Sequence, residues 1–155
     1  MSCSRVEIRP SRNSDLLPVA DNMRKCDRDE VWASHGHTPL KALEQGFKEG
    51  VECYTVLLEK EPIAMFGISE TEYPELAGVW FLGTDKVYLA KRSFYIDAPK
   101  YLDKWNEVYP ALFNIVDLRN EASIHWMTQV GFVLHDIRIY KTHERRPFAL
   151  MMRYQ

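Results

Sequence analysis

Side chains able to hold an anion or move a proton gather in three places along the 155-residue chain. Lys91, Arg92 and Ser93 set two cations and a hydroxyl side by side, a group that can grip a phosphate. Asp85 follows a short apolar run, and Glu70 and Glu72 lie in the polar stretch before it. A carboxylate so placed can accept a proton. The competing readings are plainer: solvated loop acids, and an exposed helix start carrying positive charge. Asn120 precedes an apolar-periodic segment and has the side chain of an N-cap. His35 and His37 could form a metal pair, but no nearby cysteine or acidic pattern completes a site, so no metal is expected. His125 reads as a surface or packing residue. Cys53 alternates with Val51 and Thr55 and reads as a buried structural thiol. Trp80, Trp105 and Trp126 are most simply core or pocket lining. No Ser-His-Asp or P-loop signature is present.

The elements that must position these groups follow from periodicity and punctuation. Residues 5–9 alternate and end at Pro10, as a first strand does. Asn13-Ser14-Asp15 can cap a helix running to about Arg24, with Pro18 in its first turn. Residues 24–30 read as a charged connection to Val31 and Trp32. Thr38, Pro39 and Gly50 mark the ends of the next helix. Residues 51–58 and 63–68 form a hairpin around Glu59-Lys60-Glu61-Pro62. Val79–Leu82, apolar on both faces, reads as a central strand. Pro99 either separates two helices or opens one that begins near Ala98. Leu112–Leu118 is a strand, residues 121–130 a helix closed by Gly131, and residues 133–141 and 148–154 a last hairpin. The order β-α-α-β-β-β-α-β-α-β-β predicts an α/β (mixed α+β) fold: one seven-stranded mixed sheet with helices on both faces. The segment between Val79 and Leu118 is a β-α-β crossover, whose ligands sit at the carboxyl ends of the strands.

Length and the absence of linkers or repeats point to a single domain over residues 1–155. A net charge of −2 with scattered basic residues gives no case for nucleic-acid binding. No apolar run approaches the roughly 20 residues of a membrane span, and the N-terminus lacks an apolar signal segment. Three cysteines at unrelated spacings fit free thiols in a reducing, cytoplasmic setting.

This order of elements, with Ile8-Arg9-Pro10 before a capped helix and Asn120 eleven residues before Gly131-Phe132, resembles the GCN5-related N-acetyltransferase superfamily. The run from Trp80 to Thr84 also looks like small acetyltransferase-like proteins of short-tailed bacteriophages. The superfamily resemblance implies acetyl-coenzyme A in a gap between the fourth and fifth strands, with acetyl transfer to an amine of a small molecule or protein. It implies that Phe81, Leu82 and Gly83 lie against the pantetheine. Asn120, Ser123 and Trp126 would line the same cleft, and Lys91, Arg92 and Ser93 would face the pyrophosphate. Asp85, Glu70 or Glu72 would serve as the base, and fourth-strand amides would stabilise the oxyanion.

Two positions depart from the superfamily pattern. The segment Thr84–Phe94 contains no glycine, where the family carries a glycine-rich pyrophosphate loop. Met127 stands seven residues after Asn120, where many members have a general-acid tyrosine. These departures keep a second expectation open: a phage-encoded protein with this fold that is catalytically weak or inactive and binds a host or virion protein. The acceptor and the oligomeric state are not expressed in the sequence.

Overall fold

A computed structural model describes residues 5–155 of the chain. Seven strands form one sheet in the order β1-β2-β3-β4-β5-β7-β6. They are β1 (Val6–Pro10), β2 (Glu52–Leu58), β3 (Glu61–Glu70), β4 (Leu76–Gly83), β5 (Ala111–Asp117), β6 (Val133–Ile139) and β7 (Pro147–Tyr154). Every neighbouring pair is antiparallel except β4 and β5. The sheet is the mixed one expected, and β4 is its fourth strand of seven. Helices α1 (Leu16–Asp21), α2 (Lys25–His35) and α3 (Pro39–Glu49) precede β2. Helices α4 (Lys91–Ile96) and α5 (Ala98–Val108) fill the crossover, and α6 (Glu121–Gln129) follows β5.

The two-residue period of β4 divides the core. Trp80 and Leu82 pack with Leu16, Val19, Val31 and Leu43 beneath α1–α3. Val79 and Phe81 pack with Phe94, Leu102, Trp105 and Met127 beneath α4–α6. The β2–β3 hairpin turns through Glu59 and Lys60, both at positive φ, the backbone of a two-residue I′ turn. Thr38 Oγ1 accepts from Lys41 N–H at 3.2 Å and Pro39 opens α3, as the residue types require. Pro99 sits in the first turn of α5, with the short α4 before it, so both arrangements weighed around this proline contribute.

The main difference from expectation is α2. The charged stretch after Arg24 is not a connection but eleven residues of helix, ended by Gly36 in the left-handed conformation (φ 67°). Its N-terminal turn crosses the carboxyl end of β4. The Met23–Thr84 bridge and a 2.9 Å hydrogen bond from Arg24 N–H to Gly83 O fasten it there.

Candidate functional site

The parallel strands β4 and β5 pair over only three positions, from Leu76↔Ala111 to Gly78↔Phe113. Beyond them β4 continues to Gly83 and β5 to Asp117 without pairing, so a gap opens toward the carboxyl ends. Unpaired strand edges carry main-chain groups that need partners. Ladder alternation turns the N–H and C=O of Phe81 and Gly83 into this gap. On the facing side, Asp117 turns its N–H in.

Helix α2 supplies partners for both edges. Asp27 Oδ2 accepts from Gly83 N–H at 2.9 Å, and Glu30 Oε1 accepts from Asp117 N–H at 2.8 Å. Aspartate and glutamate three residues apart share a helix face, so one turn of α2 reaches both strands. Gly83 is thereby satisfied at both ends, since Arg24 N–H holds its carbonyl. Asp27 also accepts from Arg24 Nε at 2.7 Å and from Asn120 Nδ2 at 3.1 Å. The Arg24 guanidinium lies 5.6 Å from the Phe81 ring centroid and donates to Ser123 Oγ at 3.1 Å. Arg24 and Asp27 are both buried. Burial lowers the Arg24 pKa, but the charge of Asp27 and its hydrogen bond, with smaller effects of Cys26 and Tyr88, together more than reverse that, so the guanidinium stays protonated. Glu30 is pushed up to about 8, chiefly by burial and then by the Asp27 and Asp117 charges, against the hydrogen bonds from Asp117 and Asn120.

This plug separates two hollows. The larger, about 520 Å³, lies on the α2–α3 side and is bordered by Glu30, His35, His37, Trp80, Phe113 and Asn114. The smaller, about 220 Å³, lies on the α4–α6 side. Trp126 Nε1 donates to Phe94 O at 2.8 Å, and its ring lies against Phe81, so these aromatic groups wall the smaller hollow between α4, α6 and β4.

The residues singled out from sequence fall at different places. Phe81, Ser123 and Trp126 border the smaller hollow together with Lys91. Leu82 lies on the opposite face of β4, at the larger one. Gly83 and Asn120 are held by Asp27. Asn120 also caps α6, accepting from Ser123 N–H at 3.3 Å. Arg92 points to solvent and Ser93 is buried in α4, so neither borders a hollow. Asp85 lies beside Glu61 and Lys86, away from both hollows. Glu70 accepts from the Tyr109 hydroxyl at the closed end of β4, opposite Ala77, and Glu72 is exposed in the following loop. Met127 is packed in the core. His35 and His37 stack, and no metal-binding cluster of His, Cys, Asp or Glu exists among the described residues. Cys26 and Cys53 are free thiols, while Cys3 lies outside the described residues.

Arg24, Asp27 and Glu30 carry the most distinctive chemistry, and sequence reasoning did not select them. The signal available was their i, i+3 spacing, with Gly36 as a helix end.

No protein-family model matches the chain. It is 28% identical over 137 residues to the probable scaffold protein gp13 of Escherichia phage T7, covering 83% of this chain and 86% of that protein. Solved structures match over nearly its whole length. The spermidine N-acetyltransferase from Vibrio cholerae, in complex with coenzyme A and spermine, superposes with a TM-score of 0.69 at 13% identity, covering 97% of this chain and 95% of that one. The ribosomal-protein-S18-alanine N-acetyltransferase from Escherichia coli gives 0.67 at 15%, covering 97% and 94%. The chain therefore has the N-acetyltransferase fold. Its phage relative is described as a scaffold protein, not as an acetyltransferase. No described helix is long and apolar enough to cross a membrane.

Proposed function

We propose that this protein keeps the acetyltransferase fold as a binding module and works by attaching to another protein in an assembly, not by acyl transfer. The observation that carries this reading is the double cap on the strand edges. Asp27 occupies Gly83 N–H and Glu30 occupies Asp117 N–H, at the gap where the fold's resemblance calls for acetyl-coenzyme A. The residues present do not fit that cofactor. On the edge that pantetheine would pair with, Gly83 N–H is taken by the chain's own carboxylate, and a buried guanidinium lies across Phe81. The crossover contains no glycine to bring backbone amides around a pyrophosphate. A phage relative that is a probable scaffold protein agrees with an assembly role.

One observation favours a second reading, acetyl-coenzyme A-dependent transfer to an amine. Glu30 presents a carboxyl with a pKa of about 8 to the larger hollow, the property expected of a proton acceptor. Calorimetric titration with acetyl-coenzyme A separates the two. The binding-module reading expects no saturable heat and no thermal shift. Saturable binding at micromolar strength, followed by acetylation of an amine, overturns it.

A further inference from the structure

The smaller hollow has a consistent electrostatic character. Arg24, already paired with Asp27, lines it, and Lys91 and His125 stand at its border. Among the described residues no acidic side chain lines it, although acids outnumber bases in the chain, 22 to 20. Lys91 and its neighbour Arg92 are exposed and enter no ion pair among the described residues. Nearby lysines behave otherwise: Lys86 pairs with Glu61 and Lys100 with Asp97. The walls are apolar, built from Phe81, Val87, Phe94 and Trp126. Among its lining residues, Tyr88 and Tyr95 leave 46% and 40% of their surface exposed, and their chain neighbours Leu89 and Ile96 are exposed as well. A socket for one large side chain thus opens inside an apolar rim with uncompensated positive charge. Exposed apolar patches edged by charge mark sites of protein contact.

Building on the binding-module reading, we infer that this socket receives an acidic segment of a partner protein, anchored by one large apolar side chain. The anchor fills the space between Phe94, Tyr95 and Trp126. Flanking carboxylates meet Lys91 and Arg92, which supply attraction and register. The aromatic groups exposed at the rim then become buried in the contact.

The test uses a fluorescein-labelled peptide, Asp-Glu-Asp-Phe-Leu-Glu-Asp-Glu, and fluorescence anisotropy at low salt. Two controls replace its acids by Asn and Gln, or its Phe-Leu by Ala-Ala. The unmodified protein is compared with the Lys91→Glu variant, whose exposed site tolerates charge reversal, and circular dichroism confirms its fold. Binding of the acidic peptide is expected to be saturable and to weaken at least about tenfold with either control and with Lys91→Glu. A neutral peptide that binds equally, or a variant that binds unchanged, overturns the inference. Acetyl-coenzyme A is titrated in parallel. If neither it nor the acidic peptide binds, the socket assignment falls while the binding-module reading stands. If acetyl-coenzyme A binds saturably and an amine is then acetylated, both fall.

Discussion

Asp27 and Glu30 sit one helical turn apart yet meet different surroundings. Asp27 faces the buried Arg24 guanidinium at 2.7 Å, whereas Glu30 has no cation of its own and feels the charges of Asp27 and Asp117. A buried ion pair loses far more from the removal of one partner than its net contribution suggests, because the other charge is stranded. Asp27→Ala should therefore destabilise the protein by about 3–5 kcal/mol, measured by urea denaturation. Arg24 would be left without its carboxylate, and Gly83 and Asn120 would lose their acceptor. Glu30 gives a pH prediction of definite sign. Its folded pKa, about 8, lies above the ordinary 4.5. Below the lower value both states hold the proton. As pH rises toward 8 the unfolded chain releases it first, so stability falls across that window. Glu30→Gln should flatten this decline and raise the melting temperature at pH above 8. A decline of unchanged slope in the variant would assign it to other groups.

Among the elements, α3 and α2 mark the two ends of legibility. Helix α3 announces itself through Thr38, Pro39 and Gly50, and its apolar face returns at three- and four-residue spacing. Even there the closing glycine serves a different purpose from the expected one. Gly50 keeps an ordinary φ of −72°, and a side chain would bring its Cβ to 2.7 Å from Gly46 O. Helix α2 hides because Lys25, Asp27, Arg28, Asp29 and Glu30 crowd its first two turns with charge. Charges that satisfy strand edges in the interior cannot be told by type from charges that face water. Order and class of the elements, the central β4 and the α6 cap were readable from local signals. The plug was not, since its partners lie more than 50 residues away in sequence, as with Asp27 and Gly83. Helix α3 yields its own prediction. Gly46 and Gly67 both lie against the Trp80 indole, and a Cβ on Gly46 would come within 2.6 Å of it. Alanine favours a helix interior by about 1 kcal/mol, but forced overpacking costs about 1–3 kcal/mol. Gly46→Ala should thus leave the protein no more stable, and less so if Trp80 cannot shift. Stabilisation by the full helix-propensity gain in a denaturation series would show that the indole moves freely.

At the scale of the molecule, the sheet is two half-sheets, β1–β4 and β5-β7-β6, joined by three parallel pairs. Past Gly78 and Phe113 the halves separate, and α2 bridges them with one carboxylate on each side. In an open cleft, strand-end amides would meet water and exchange quickly. Here the Gly83 and Asp117 amides are bonded to buried or part-buried carboxylates, which makes them local reporters of the bridge. Hydrogen exchange read by NMR should find both amides protected nearly as well as those of Met65 or Val116 within the paired strands. Asp27→Asn should release Gly83 more than Asp117, and Glu30→Ala should do the reverse, because each carboxylate caps only one edge. If both amides exchange rapidly in the unmodified protein, the bridge opens in solution and the gap is available to a ligand. Slow exchange of both, changed edge by edge in the variants, identifies α2 as the element that closes the fold's usual opening.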